Sequence, residues 1–189
     1  MLAIIPARKG SKRLKDKNKR LLCGKPMIEY TIEEAKKSKY IDNIIISTDD
    51  PYMNQMMIKY AVDIHWRPDK LAGDDVPTID VIKDIVKDMD VDTIVLLQPT
   101  SPLRTADDID RCIEAYMTGK FSSIVTVKKI YPLGFELNGA VFVMSKELIM
   151  NEYIWDDEVG LIVMPYERSV DVDRKEDFEL CEMIMETKK

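Results

Sequence analysis

The chain has 189 residues, of which 46% are hydrophobic and 33% are charged, and its formal net charge is −6. This length suits one sizeable core, so we predict a single domain over residues 1–189. The acidic balance argues against a general nucleic-acid binder, and no apolar run approaches the roughly 20 residues of a membrane span. With no secretory signal visible and three widely spaced cysteines, Cys23, Cys112 and Cys181, we expect a cytoplasmic protein with reduced thiols.

Apolar patterns along the chain predict strands that alternate with amphipathic helices. The predicted strands lie near residues 2–5, 43–47, 62–66, 93–97, 122–127, 139–144 and 161–164. The predicted helices follow Pro26 and Pro51, cover about 77–89, include 109–116, and begin again near 175. This alternation is typical of an α/β fold with a mainly parallel sheet.

A strongly basic segment follows the first predicted strand. Between Arg8 and Lys25 there are nine lysines or arginines and one acid, so the segment carries +8 and leaves −14 on the rest of the chain. Since α/β sheets bind ligands at the carboxyl ends of their strands, this position favours a polyanion such as a triphosphate. The alternatives are a solvated face or a basic arm that contacts nucleic acid.

The best-known phosphate-binding motifs are missing from the sequence. There is no GxxxxGK[ST], and no GxGxxG follows the first strand, so a P-loop or a dinucleotide fold is not indicated. A phosphate site must therefore use another loop, in which a glycine allows close backbone approach while a hydroxyl and cations contact the phosphates. The residues predicted for it are Arg8, Gly10, Ser11, Lys12 and Lys17.

Two acids near the end of the chain, Asp171 and Asp173, are separated by one residue. In an extended segment they project to the same side, and with no cation expected there they suit a hard divalent ion such as Mg²⁺ completed by phosphate oxygens. The alternatives are a solvated turn, or pairing with Arg168 or Arg174.

Two further features are interpreted as structural. Met53, Met56, Met57 and Tyr60 form a stripe that we assign to the core. The only histidine, His65, has no partner evident in the sequence, so a structural or exposed position is favoured over catalysis.

Six collinear motifs resemble those of the CMP–sugar-acid synthetases, the cytidylyltransferases that act on N-acylneuraminate and related nonulosonic acids. The chain opens with IIPARKGSKR followed by Lys17-Asn18, and the stretch 96–104, LLQPTSPLR, is the most specific of the set. The remaining motifs are 47–49 (STD), Arg67-Pro68 with Leu71-Ala72 and Asp74, 138–140 (NGA) and 171–173 (DVD). The resemblance covers most of the chain.

The resemblance implies a three-layer α/β/α sandwich like that of nucleotide-diphospho-sugar transferases. It also implies a Mg²⁺-dependent enzyme that joins CTP and a sugar acid into a CMP-sugar and pyrophosphate. Arg8, Ser11 and Lys17 would hold the triphosphate with Asn18 fixing their loop, and Asp171 and Asp173 would hold Mg²⁺. The cytidine would be surrounded by Ser47, Arg67, Asp74 and Thr78, and the sugar and reacting phosphate would face Gln98, Thr100, Ser101, Arg104 and Asn138. Arg8, Lys17, Gln98, Asp171 and Asp173 would be the catalytic group.

The sequence departs from the family at two places. Lys15 replaces a proline, which affects the stiffness of the basic loop. More importantly, only residues 128–137 join the strand at 122–127 to Asn138, where the family has an insertion of several tens of residues that forms a dimerisation arm. We therefore expect a monomer, or a dimer through another surface, and expect Lys128, Lys129 or Arg104 to meet an acceptor carboxylate.

The alternatives that remain are a related nucleotidyltransferase with a smaller acceptor or another nucleotide, a catalytically silent nucleotide-binding module, and a nucleic-acid binder. The acid pair argues against a silent module, because such acids have little use without a metal and a triphosphate.

Overall fold

The structure of the protein, a computed structural model, describes residues 1–11 and 13–187. The predicted phosphate contact of Lys12 lies outside these residues. The strands are β1 (Leu2–Pro6), β2 (Leu21–Leu22), β3 (Lys25–Pro26), β4 (Asn43–Thr48), β5 (Asp63–Trp66), β6 (Thr93–Leu97), β7 (Ser123–Ile130), β8 (Gly134–Ser145) and β9 (Val159–Val163). The helices are α1 (Met27–Lys37), α2 (Asn54–Tyr60), α3 (Thr78–Val86), α4 (Ala106–Met117), α5 (Lys146–Met150) and α6 (Lys175–Glu186).

Seven strands form one sheet in the order β5-β4-β1-β6-β8-β7-β9. The neighbours β5/β4, β4/β1, β1/β6 and β7/β9 are parallel, whereas β8 runs antiparallel to both β6 and β7. The predicted mainly parallel sheet is confirmed. Because β5, β4, β1 and β6 are parallel neighbours, their carboxyl ends lie side by side along one edge.

Helices cover both faces of the sheet. Along β1, Ala3 and Ile5 pack into a core with α1 and α4, whereas Leu2 and Ile4 pack into a second core with α3. Such alternation occurs when a strand is buried on both sides, and it explains why β1 reads as an uninterrupted apolar run. The predicted three-layer α/β/α architecture is therefore confirmed.

A third, smaller core anchors the basic segment beneath α6. Leu14 from that segment packs with Leu22, Val172, Phe178 and Cys181. The apolar contacts explain how a segment with so many cations is held against the body of the protein, next to the acids that precede α6.

Strands β7 and β8 are longer than the sequence pattern predicts. Residues 128–137, expected to be a short connection, extend both strands as a β-hairpin in which Lys128 pairs with Glu136 and Lys129 with Phe135. Leu133 at its tip is 90% exposed. The pattern fails here because the hairpin is apolar on exposed positions, so it lacks the alternation of a half-buried strand.

The methionine stripe of α2 is only partly in the core. Met53 and Met56 are buried and Tyr60 packs against the same core, but Met57 is 41% exposed, so its assignment to the core is wrong. The helix begins with a single 3₁₀ turn at Pro51–Met53, which rotates the later residues away from the expected face. Among the helices that the structure describes, none is both long and apolar enough to cross a bilayer.

An ion pair ties α4 to the segment before α6. The carboxylate of Asp108 is fully buried and accepts hydrogen bonds from Arg168 Nε at 2.8 Å and Arg168 Nη2 at 2.9 Å, as well as from the amide and hydroxyl of Thr105. Burial alone would raise the pKa of Asp108, but the Arg168 and Thr105 donors outweigh it, and the pKa is lowered. Because the Arg168 guanidinium is bound to Asp108, the sequence-based alternative in which Arg168 neutralises Asp171 or Asp173 is wrong.

We predict that Arg168→Met destabilises the protein by about 3 kcal/mol, because it leaves a buried carboxylate without its cation. Since the pKa of Asp108 is lowered by folding, the pair stabilises above the unfolded pKa of about 3.9 and its contribution is lost as the pH falls through the folded value. Urea unfolding at pH 7 and at acidic pH measures both effects. Arg111→Met, at an exposed position of α4, is the control, and equal losses in the two variants would contradict the prediction.

Candidate functional site

A cavity of about 220 Å³ lies at the carboxyl edge of the sheet. Its walls come from the segments that follow β1, β5 and β6 and from the residues around the start of α3. Ten residues singled out from the sequence line it: Arg8, Gly10, Ser11, Lys17, Asn18, Arg67, Asp74, Thr78, Gln98 and Thr100. The structure therefore brings together residues that are up to 92 positions apart in the printed sequence.

The basic loop is fixed by its own hydrogen bonds. The side-chain amide of Asn18 donates to the carbonyl of Arg8 at 3.1 Å, which closes the loop at its base. Gly10 has φ +78°, a left-handed conformation that other residues rarely adopt, so a glycine is needed for this turn. The geometry is consistent with the loop-fixing role that the resemblance implies for Asn18.

The cations of the loop are paired with carboxylates from distant parts of the chain. Arg8 contacts Asp74, Lys17 Nζ lies 2.9 Å from Asp173 Oδ1, and Arg13 Nη1 lies 2.6 Å from Asp173 Oδ2. The sequence-based expectation that no cation lies beside the acid pair is therefore wrong. A second cavity of about 270 Å³ shares Arg8, Lys17 and Asp74 with the first and continues to Asp173.

Backbone and side-chain contacts hold the segment that carries the two acids, of which Asp173 lines the second cavity and Asp171 lines neither. The amide of Val172 donates to the carbonyl of Thr100 at 2.8 Å, and the amide of Asp173 donates to Asp177 Oδ2 at 3.0 Å. Val172 itself is fully buried, while Asp171 is exposed and Asp173 is partly so. The alternation of exposure along residues 171–173 matches the expectation that both acids project to the same side, away from the core.

The two acids differ in their electrostatics. Desolvation raises the pKa of Asp171, the neighbouring Asp173 adds to the rise, and a hydrogen bond from Thr100 opposes it. The hydrogen bond from Lys17 lowers the pKa of Asp173 against its own desolvation, and Arg13 assists. Asp173 is thus the better stabilised carboxylate, whereas Asp171 is short of a cation in this arrangement.

Three of the residues expected to face the sugar lie in the interior instead of in the cavity wall. Ser101 and Asn138 are buried, and the Arg104 side chain is 2% exposed with Nη1 donating to the carbonyls of Gln98 and Ala140. Asn138 donates to Ser169 and accepts from the Ala140 amide. Arg104 Nη1 and Asn138 thus tie the ends of β6 and β8 together, whereas Arg104 Nε, Arg104 Nη2 and the Ser101 hydroxyl are buried without a hydrogen-bond partner among the described residues.

Arg67, which follows β5, is a further cation in the wall of the first cavity. Partial burial and the nearby Arg8 lower its pKa, and Asp49 partly offsets this. Its Nε donates to the hydroxyl of Ser47 at 3.1 Å. Ser47 is fully buried, so it supports Arg67 from behind rather than forming the wall that the resemblance suggested.

Sequence reasoning missed several functional contacts. The expectation that His65 has no partner is wrong, because its ring lies 3.1 Å from both Ser47 Oγ and Asp84 Oδ2. It also missed Asp177, which fixes Asp173, and Val76 in the cavity wall. For His65 a signal was present, since a polar residue in a strand that ends at the site faces the same side as Arg67 two residues later.

The chemistry of the donors bears on a metal. Within residues 1–11 and 13–187, no three His, Cys, Asp or Glu side chains are grouped to hold a metal by themselves. Two adjacent carboxylates beside a polyanion site do fit a hard divalent cation, because Mg²⁺ is commonly held by one or two carboxylates and completed by phosphate oxygens.

This geometry defines an α/β protein with a basic pocket at the carboxyl ends of its parallel strands, which is where such sheets bind ligands. Residues 2–141 match the family model described as cytidylyltransferase, which is well over half of the chain. The chain belongs to the cytidylyltransferase family, and the family assignment from the sequence motifs is confirmed.

Curated relatives agree with this assignment. The chain is 33% identical over 226 aligned residues to the CMP-N,N'-diacetyllegionaminic acid synthase of Legionella pneumophila, with 98% of this chain and 96% of that protein covered. It is 32% identical to the N-acylneuraminate cytidylyltransferase of Escherichia coli, where all of this chain but only 52% of the relative is covered. The chain therefore spans about half the length of the second enzyme.

Solved structures show the same fold. A CMP:2-keto-3-deoxy-manno-octonic acid synthetase complexed with CTP superposes with a TM-score of 0.80 at 15% identity, covering 100% of this chain and 99% of that one. A 4-diphosphocytidyl-2C-methyl-D-erythritol synthase from Anaerococcus prevotii superposes with a TM-score of 0.71 at 14% identity, covering 98% and 95%. At these identities the likeness extends to the fold alone.

We predict that the two acids contribute little to stability. Asp173→Asn should cost no more than about 1 kcal/mol, because the pairs it loses are partly exposed. Asp171→Asn should be neutral or slightly stabilising, because the residue has a raised pKa and lies beside a like charge. Urea unfolding without metal or nucleotide tests both. A loss of several kcal/mol in either variant would mean that the acids serve the fold.

Proposed function

We propose that this chain is a cytidylyltransferase that activates a nonulosonic acid with CTP, giving a CMP-sugar acid and pyrophosphate. The proposal is supported most directly by one observation: Lys17 of the basic loop contacts Asp173, and Lys17 lines both the cavity at the strand ends and the second cavity that Asp173 lines. Triphosphate-binding cations and metal-binding carboxylates are needed at the same place in such a reaction. The names of the legionaminic and N-acylneuraminate enzymes supply the substrate class.

Arg8 and Lys17 are assigned to the triphosphate, with Gly10 and Ser11 offering backbone and hydroxyl donors beside them. Both cations line the cavity, and both are held by carboxylates that phosphate oxygens can replace. As the anomeric hydroxyl of the sugar attacks the α-phosphorus, negative charge builds up on the departing pyrophosphate. Preorganised cations next to that charge stabilise the transition state without a catalytic histidine or cysteine.

The cytidine is assigned to the side of the cavity formed by Arg67, Asp74 and Thr78, with Val76 as an apolar surface. Gln98 and Thr100 are assigned to the sugar and the reacting phosphate, since they line the same cavity after β6. Arg104, expected to meet the acceptor carboxylate, is 2% exposed and lines neither cavity, so it is not assigned to the acceptor.

Asp171 and Asp173 are assigned to Mg²⁺. Their carboxylate oxygens suit this ion, and Arg13 and Lys17 neutralise Asp173 in its absence. When bound, the ion supplies positive charge to the phosphate oxygens. The chain's own contribution is to hold the two acids at a fixed distance from the loop, through Thr100 and Asp177.

The length of the hairpin supports the proposal for the oligomeric state. The turn between β7 and β8 is only residues 131–133, so the hairpin is far shorter than the family's arm. We retain the proposal of a monomer, or of a dimer that does not exchange arms between active sites.

The activity is tested by a pyrophosphate-release screen of the four NTPs against a panel of keto-sugar acids, together with calorimetry of CTP with and without Mg²⁺. We expect Mg²⁺-dependent binding of CTP and turnover only with nonulosonic acids, abolished in both Asp171→Asn and Asp173→Asn. Another nucleotide or a smaller acceptor as the best substrate would support the related nucleotidyltransferase. Binding of CTP without turnover of any acceptor would indicate a silent module.

We predict that Arg8→Ala lowers the rate with CTP by about one to two orders of magnitude. A charge-assisted contact with phosphate is worth about 1.5–3 kcal/mol, and Arg8 lines the cavity. Lys9→Ala is the matched control, since Lys9 is the adjacent exposed cation, and it should have little effect. Steady-state kinetics at fixed ionic strength gives both values. Equal losses would show that the loop acts only as a diffuse positive field.

A further inference from the structure

The only histidine of the chain lies in a continuous hydrogen-bonded path that ends at the nucleotide pocket. The path runs from Asp84 on α3 to His65 on β5, then to Ser47 on β4, and finally to Arg67 just after β5. Each of its three contacts is 3.1 Å long. Three residues, Asp84, His65 and Ser47, are thus joined behind Arg67, a cation of the cavity wall.

The donors and acceptors of this path determine one another. Arg67 Nε can only donate, so Ser47 Oγ accepts from it. The Asp84 carboxylate only accepts when ionised, and its lowered pKa, caused first by Lys87 and also by His65, keeps it ionised. In the neutral imidazole, His65 Nε2 therefore carries the proton and donates to Asp84, which leaves Nδ1 to accept the hydroxyl proton of Ser47.

Burial of these side chains restricts the orientation of the Ser47 hydroxyl. Ser47 is fully buried, and the side chains of His65 and Asp84 are 19% and 18% exposed. With its proton directed to His65, the Ser47 oxygen presents its lone pairs to Arg67. The charged and titratable groups around His65 are Asp84 and Lys87 on α3 and Arg67 beyond the strand end, and Lys87 contacts the other oxygen of Asp84 at 2.8 Å.

We propose that His65 is a positioning residue, which through Ser47 fixes Arg67 Nε and so aims the guanidinium into the nucleotide pocket. The proposal rests on the proposed function for the identity of the nucleotide. It adds that His65 determines the position of Arg67 in the cavity wall assigned to the cytidine. Arg67 loses conformational freedom before the ligand arrives, which lowers the cost of binding. His65 touches neither cavity, so it acts only through the path.

The path itself is testable without any nucleotide. Because the protein has one histidine, its imidazole ¹⁵N signals are unambiguous once any affinity tag is removed. We expect the Nε2–H tautomer in the wild type, and a shifted Nδ1 signal in Ser47→Ala. An Nδ1–H tautomer in the wild type would overturn the proposal whatever the enzyme's substrate is. So would an Nδ1 chemical shift that is the same in Ser47→Ala as in the wild type.

Kinetics then tests the consequence. His65→Leu should raise the KM for CTP about five- to tenfold, the effect of one hydrogen bond, while kcat changes less than twofold. Ser47→Ala should do the same, and the double variant should show no further loss, because both act through one path. His65→Asn, whose amide oxygen can replace Nδ1 as an acceptor for Ser47, should restore most of the affinity.

A control variant distinguishes a general loss of structure from the proposed effect. Asp63→Asn, at an exposed position on the same strand, should leave KM unchanged. The positioning role would be overturned if the KM of the double variant rose by the product of the two single effects. It would also be overturned if kcat for His65→Leu fell by as large a factor as KM rose. Absence of CTP turnover in the wild type with the expected tautomer would count against the proposed function alone.

Discussion

The position of β1 in the middle of the parallel strands is the constraint on which the site depends. The strand is hydrogen-bonded to β4 on one side and β6 on the other, and it is buried on both faces. The segment that follows β1 therefore begins at the centre of the sheet edge. The basic loop that follows is placed between Arg67 from the β5 side and Gln98 from the β6 side, and the cavity results from that placement.

Electrostatic balance is the second organising feature. Each principal cation of the loop already has a carboxylate, Arg8 with Asp74 and Lys17 with Asp173, so the site is neutralised internally. A polyanion must displace these carboxylates to reach the cations, so the net gain of each phosphate contact is reduced by the ion pair that it replaces. Under the proposed function, a metal at Asp173 releases Lys17 towards phosphate, so metal and nucleotide would bind more tightly together than apart.

Much of this could be predicted from the sequence, and the failures have physical reasons. The order of strands and helices, and the meeting of Arg8 with Lys17 and Thr100, follow from apolar periodicity and from the rule that parallel strand ends converge. Burial depth could not be predicted, because LLQPTSPLR reads as a polar loop although Arg104 lies in the core. Pairings such as His65 with Asp84 depend on how α3 sits on the sheet, which no local pattern encodes.

The thiols of the protein differ sharply in their surroundings. Cys112 and Cys181 are buried, and desolvation raises the pKa of each to about 12, so neither forms a thiolate at neutral pH. Cys23, in the turn between β2 and β3, is partly exposed. That turn lies within the basic segment, directly after β2, the strand that contacts α6. An alkylating dye would therefore attach at a single position, beside the basic loop, without any engineered cysteine.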